Sequence, residues 1–406
     1  MSTLRCLAIS NSYPPDHAGG YELGACNILE NLAQYCQWEN RVLSSVRRSK
    51  SAKTDGLELT GFFPGKLGPE IELWRTKKSL LKKHASIVAQ MQEKARQADL
   101  VFVFNPRRLI FPQWTSILNV GKPVFTFISD HWPNHPRASD IFHARSRKDD
   151  HGELRDAKLQ SLYQTAPSEK DVLKSFRGVL FGSHFLQHSQ AGIFETNPNQ
   201  MVAHWGIDMN RFPYLPFSSD RINTFGFCGR PEKEKGLDLA LAAIRNLRTD
   251  GQDVRLLVAS DLQGSTYGRS ILKQVRQDTV LKDHVECLGQ IPHAELHRKF
   301  YSQVGTLLFP SIWQEPFALT VLEAMASGNL VIGSSTGGTP EIVGEATGYR
   351  FDPEKEGDLT QVCRSALAAP AEVNRSKVET AFSRIKESHT LRVMAEKVDG
   401  FVRSLL

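Results

Sequence analysis

Short apolar runs recur along this chain with helix-length stretches between them, and this rhythm limits the fold more than any other feature of the sequence. LRCLAIS, RVLSSV, DLVFVF, KPVFTFIS, RGVLFGS and QMVAHWG read as buried strands, and stretches such as YELGACNILENLAQY carry helical apolar spacing between several of them. Strands that are apolar throughout, instead of alternating, are covered on both faces. A strand that follows a crossover helix pairs parallel to its predecessor. The expectation is an α/β fold built on a doubly wound parallel sheet.

The rhythm breaks at DMNRFPYLPFSSDR, where two prolines and a polar run suggest a domain boundary near Pro216. It then restarts: INTFGFCG, helix GLDLALAAIRNL, VRLLVAS, a helix near Ile271, HVECLG, a helix from His293, TLLFPS, a helix from Phe317, and LVIGSS. At 406 residues the chain exceeds what one core usually serves. We therefore expect two Rossmann-like domains, 1–215 and 216–388, facing across a cleft, with TLRVMAEKVDGFVRSLL forming a helix in 389–406. Ligands of such folds lie at the carboxyl ends of the strands, so the loops there carry the functional reading. The polar stretch from Arg137 to Phe176 fits the alternation poorly and reads as an insertion, lid or mobile segment.

Composition excludes little. A formal charge of +6 suits phosphorylated ligands, nucleic acid or an anionic membrane equally. The six cysteines include no CxxC pair and read as reduced thiols of a cytoplasmic protein. The amino terminus lacks the pattern of a signal peptide, and no run reaches the roughly 18 apolar residues of a membrane span. The expectation is a soluble protein, at most peripheral on the inner membrane face. One stretch, ELWRTKKSLLKKHASIVAQMQEKARQ, clusters Lys77, Lys78, Lys82 and Lys83 beside an apolar side. It reads first as a buried helix with a solvated basic face, and second as a helix lying on anionic lipid.

Four loops at strand ends stand out. SNSYPPDHAGGYELGA sets Gly19 and Gly20 before a helix, where bare backbone can approach an anion or simply turn. FGFCGRPEKEKGLDLAL carries Arg230 and Lys235, which form either a diphosphate clamp or a solvated charge run paired with Glu232 and Glu234. In SSTGGTPEIV a second glycine pair precedes Thr339 and Pro340, as a tight turn or one wall of a phosphate site.

The remaining loop, IWQE, runs into PFALTVLEA. Pro316 suits the first position of a helix, which would leave the amides of Phe317, Ala318 and Leu319 to bind an anion. On such a helix Glu315 and Glu323 lie about 12 Å apart along the axis. That separation matches the reach of a nucleotide sugar from ribose to hexose. Glu323 capping a neighbouring helix, or pairing with a lysine, is the alternative.

The stretch PSIWQEPFALTVLEAMASGNLVIGSSTGGTPEIVGEATG, with GRPEKEKG, VAHWGIDMNRF and, more weakly, YPPDHAGGYELGACNILENLA, resembles the retaining glycosyltransferases of family 4. That resemblance implies a GT-B fold and a nucleotide-diphosphate-sugar donor bound by the second domain. It also implies an acceptor (small molecule, glycan or lipid-linked) bound by the first domain, and a final helix crossing back onto that domain. Carried over by position, Arg230 and Lys235 bind the diphosphate, Glu323 the ribose and Glu315 the hexose. The backbone from Phe317 through Ala318 to Leu319 contacts sugar and phosphate, and Gly20 approaches from the first domain. The family's sugar-binding histidine aligns with Ser129, so His131 stands as its substitute.

No histidine spacing forms HExxH and no DxD is present, so neither a metal nor a cofactor is expected. No nucleic-acid partner is expected either. Two rivals share the architecture: a non-hydrolysing nucleotide-sugar epimerase, and a catalytically silent nucleotide-sugar-binding protein, which Ser129 favours.

Overall fold

The computed structural model describes residues 2–10, 13–14, 20–44, 53–54, 57–61, 84–106, 111–134 and 166–406. Contacts divide the chain into two units, Met1–His204 with Leu391–Leu406, and Trp205–Thr390. The division falls upstream of Pro216. Ile207 donates its amide to the His389 carbonyl (2.9 Å) and bridges to Thr390, which ties the connecting stretch into the second unit.

The first unit holds β1 (Leu4–Ser10), β2 (Trp38–Ser44), β3 (Lys53–Thr54), β4 (Leu57–Gly61), β5 (Leu100–Asn105), β6 (Val124–Ile128), β7 (Gly178–Phe181) and β8 (Gln200–Val202), with helices α1 (Gly20–Cys36) and α2 (His84–Arg96). They form one sheet in the order β3-β4-β2-β1-β5-β6-β7-β8. The β3–β4 pair is antiparallel and the other pairs are parallel. Every residue of β5 and β6 is buried, which is why both read as continuous apolar runs. Phe102, Phe104, Phe125 and Phe127 pack ring against ring between these strands.

The second unit repeats the scheme with β9 (Thr224–Cys228), β10 (Arg255–Ala259), β11 (Val285–Cys287), β12 (Thr306–Phe309), β13 (Leu330–Ser334) and β14 (Tyr349–Phe351). Its order is β11-β10-β9-β12-β13-β14, parallel throughout. The longer helices are α3 (Leu237–Thr249), α4 (Thr266–Gln277), α5 (Leu319–Ala326), α6 (Asp358–Ala368) and α7 (Ala371–Ser388). The chain winds outward from β9 to β11, then returns to the far side of β9 to lay down β12 to β14. The order therefore reverses between β9 and β12, and in such sheets that reversal opens a crevice at the carboxyl ends of the strands.

Two expected helices differ. In place of a helix from His293 there is a 3-10 turn, His293–Glu295, followed by a π turn, His297–Tyr301. The helix expected from Phe317 begins at Leu319, for reasons given with the site.

The last helix, α8 (Leu391–Leu405), belongs to the first unit and packs on α1. Its Asp399, buried, accepts from Trp38 Nε1 (2.6 Å) and from Arg403 Nε (2.7 Å), and Arg403 also donates to the Cys36 carbonyl (3.0 Å). No described helix is long and apolar enough to cross a membrane. Lys77, Lys78, Lys82 and Lys83, the basis of the lipid-contact expectation, lie outside the described residues.

Candidate active site

Because β9 and β12 are neighbours, the loops that leave their carboxyl ends meet. The Glu234 carbonyl receives three donors from the loop after β12: the Ile312 amide (2.9 Å), the Trp313 amide (3.2 Å) and the Ser311 hydroxyl (3.2 Å). Gly236 closes the loop in a left-handed conformation (φ +72°), and a Cβ there would run into the Pro310 carbonyl. Only glycine therefore permits this approach.

Between these bonds the Lys235 ammonium reaches the Glu315 carboxylate and forms an ion pair; the single Ser311 hydroxyl proton, shared with the Glu234 carbonyl, is also within reach of Glu315 Oε1 (3.2 Å). Their side chains are only 19% and 12% exposed. The acids nearer in sequence are used otherwise: Glu232 pairs with Arg230 at 2.8 Å, and Glu234 supplies its carbonyl.

The stretch from Glu315 to Ala318 is not helical. Gly338 donates its amide to the Glu315 carbonyl (2.7 Å), holding that carbonyl toward the neighbouring loop. A Cβ on Gly338 would approach the Pro316 carbonyl to 2.5 Å, so the bare glycine lets the strand-end loop lie flat on this segment. Ala318 sits at φ −95°, ψ 87°, and α5 starts one residue later. The amides expected to be helical at Phe317 and Ala318 thus precede the helix, and those without an intrahelical acceptor are at Leu319 and Thr320. The estimate of about 12 Å between the two acids assumed a helix throughout and does not apply to this extended entry.

Glu323 lies in the buried face of α5 among Val321, Leu322, Ala324, Met325 and Ala326. A buried carboxylate is costly unless donors satisfy it. Tyr301 Oη donates to Oε2 (2.8 Å), and His293 Nε2 lies 2.8 Å from Oε1. Phe212 packs edge-on against both the His293 and Tyr301 rings (5.6 and 5.8 Å). The hydrogen bond to Glu323 raises the His293 pKa, against burial and the Arg211 charge. Burial, with Glu323 nearby, holds Tyr301 well above its ordinary range and keeps its hydroxyl a donor. Cys228, at the end of β9, is pushed up to about 12 by burial and remains a thiol.

The structure thus joins Lys235 to Glu315 and leaves Arg230 exposed on its own loop. Gly20 begins α1 in the first unit, and Gly19 lies outside the described residues. His131 is half-buried in the first unit, its ring edge-on to Phe185 at 6.0 Å, beside an Asp130 that binds Asn105 Nδ2 (3.0 Å) and the Trp132 amide (2.9 Å). Sequence reasoning missed Ser311, Tyr301 and the role of His293. Ser311 directly follows the strand run TLLFP, where the strand-end rule pointed. Nothing local marks Tyr301 or His293, which meet Glu323 across 22 and 30 positions.

Two doubly wound parallel units, the second with charged loops at its switch point, define the GT-B class of fold. Residues 217–382, within the second unit, match the family model described as glycosyl transferases group 1. The chain is 29% identical over 208 residues to the phosphatidylinositol N-acetylglucosaminyltransferase gpi3 subunit of Schizosaccharomyces pombe, covering 51% of this chain and 43% of the relative. It spans about two fifths of the length of curated relatives of this kind. Among solved structures, sucrose-phosphate synthase from Thermosynechococcus elongatus superposes with a TM-score of 0.71 at 19% identity, over 99% of each chain. Anabaena HepE in complex with UDP gives 0.69 at 14% identity, over 99% of this chain and all of the other.

Proposed function

We propose that this chain is a retaining glycosyltransferase that moves a hexose from a UDP- or GDP-sugar to an acceptor hydroxyl. One observation carries the reading: a lysine and a carboxylate, Lys235 and Glu315, are held together at the switch point, with a second buried carboxylate, Glu323, on the helix that follows. Lys235 exchanges Glu315 for the donor diphosphate on binding, and Glu315 turns to the hexose hydroxyls. Arg230 and the first amides of α5 add positive potential where the leaving diphosphate gains charge. These groups supply what a divalent cation would otherwise give, so the transfer proceeds without metal. The acceptor hydroxyl enters on the face the diphosphate leaves, and a donor phosphate oxygen takes its proton. Glu323 receives the ribose hydroxyls.

That a similar protein is named for N-acetylglucosamine transfer to phosphatidylinositol supports a lipid-linked acceptor and peripheral membrane contact. The six cysteines are free, which fits the reducing cytoplasm. The test is product NMR with α-linked UDP- and GDP-sugars and an acceptor panel, in EDTA. An α-linked product at full rate is expected. A β-linked product, a strict metal requirement, or donor epimerised without acceptor overturns the proposal.

A further inference from the structure

The buried acid of α5 has more support than a surface pairing would give it. Its two oxygens are engaged separately, Oε1 by His293 and Oε2 by Tyr301, each at 2.8 Å. A carboxylate has about four acceptor sites, so one on each oxygen remains open. The imidazole is itself held on three sides. Nε2 faces Glu323, Nδ1 lies 3.5 Å from Arg211 Nη1, and the Phe212 ring packs against it in a T-shaped contact. Arg211 is in turn tethered to Asp208 (Nε to Oδ2, 3.4 Å). In the neutral ring Arg211 donates to Nδ1 and the proton sits on Nε2; in the imidazolium Nε2 carries a proton as well, so in either form that proton points at the carboxylate and sets the plane of the Glu323 carboxyl group.

We propose that His293 is a positioning residue, holding the Glu323 carboxylate so that its open acceptor sites receive the two hydroxyls of a nucleotide ribose. The inference rests on the assignment of Glu323 to the ribose. Without the His293 donor, the carboxyl group turns about its last bond and no longer presents one acceptor to each hydroxyl. A purely structural role would change stability alone. A positioning role changes the preference for ribose over 2′-deoxyribose. Tyr301 fixes the other oxygen from the buried side, but His293 is partly open and can be exchanged with little disturbance to the core.

The experiment is calorimetric titration of UDP and GDP, each against its 2′-deoxy counterpart, into wild type, His293→Ala and His293→Gln. A glutamine amide nitrogen reaches the place of Nε2 and restores the donor. Wild type is expected to prefer the ribonucleotide by about tenfold, as suits a hydrogen bond to a charged acceptor. His293→Ala should bring that ratio close to one, and His293→Gln should recover most of it. If the alanine variant does not fold, His293→Asn replaces it, because its shorter amide ends near Nδ1 and gives Glu323 no donor. A ribose preference that survives loss of the donor overturns the proposal while the glycosyltransferase reading stands. A wild-type chain that binds no nucleoside diphosphate overturns both.

Discussion

The ammonium of Lys235 and the carboxylate of Glu315 form one ion pair across 80 positions of sequence. Their meeting follows from topology, since the strands before them are neighbours at the point where the sheet order reverses. The pair is mostly shielded from water, so neither charge is easily left alone. Lys235→Ala should therefore weaken nucleoside diphosphate binding by about 1.5 to 3 kcal/mol, the worth of a charge-assisted bond, and also lower stability. Arg230→Ala should weaken binding in the same direction with little change in melting temperature, because that side chain is exposed. Calorimetry and thermal melts on both variants check this; unchanged affinity in both would remove the clamp.

Glu315→Gln separates the two roles at this pair. The amide keeps the Ser311 contact but gives up the charge that engages Lys235. Lys235 is then freer to meet a diphosphate, so nucleotide affinity should hold or rise while turnover falls by at least about a hundredfold, as for other lost transition-state contacts. Steady-state kinetics beside calorimetry decides it, and parallel loss of both would mean that Glu315 serves only to shape the loop.

Gly236 tests whether the close approach of the two loops matters. Alanine there meets both an unfavourable left-handed backbone and the Pro310 carbonyl. The backbone alone costs about 1 kcal/mol or more, and the collision adds to it. Gly236→Ala should lower stability and, by moving Lys235 away from Glu315, reduce turnover more than Gly251→Ala. Gly251 is also left-handed, but nothing lies within 4 Å of its added Cβ. Equal effects at the two glycines would deny the loop contact any functional part.

Much of the fold was legible because parallel strands must be buried on both faces, and runs such as DLVFVF and TLLF advertise that directly. β3, β4 and β14 escaped notice: LELTG and YRF are short and mix polar with apolar residues, as sheet margins do. In the site, Arg230, Lys235, Glu315 and Glu323 were visible as charges at or near strand ends. Their pairing was not, since Glu232 and Glu234 offered nearer partners for the cations. The start of α5 was misread because Pro316 is a sound opening residue by local rules. What overrides it is a single long-range bond, from Gly338 to the Glu315 carbonyl, that no periodicity reports.

The C-terminal helix offers a stability prediction away from the site. Asp399 is the acceptor for both Trp38 and Arg403, and all three are largely or wholly buried. Asp399→Ala leaves an indole N–H and a guanidinium without it and should cost on the order of 2 to 4 kcal/mol in the first unit's unfolding. Asp399→Asn retains an acceptor and should cost less. Urea denaturation followed through tryptophan fluorescence distinguishes them; equal losses would show that packing, not the hydrogen bonds, sets the cost.

His293 predicts the pH dependence of stability. Its bond to Glu323 holds the imidazolium pKa above the ordinary histidine value, with burial and Arg211 opposing. A proton bound more tightly in the folded chain stabilises that chain most where the unfolded chain also carries it, below about pH 6.5. As pH rises, the unfolded histidine loses its proton first, and the advantage declines until the folded histidine has lost its own. Glutamine at 293 donates to the same carboxylate but does not titrate, so it lacks this component. The difference in melting temperature between wild type and His293→Gln should therefore favour wild type most on the acid side of about pH 6.5 and shrink toward alkaline pH. Ionising groups that do not touch residue 293 act alike in the two proteins and cancel in the difference. Thermal melts of both chains in matched buffers from acid to alkaline pH provide the measurement. A difference independent of pH, or one that grows as pH rises, would mean that His293 is not held in its charged form by Glu323.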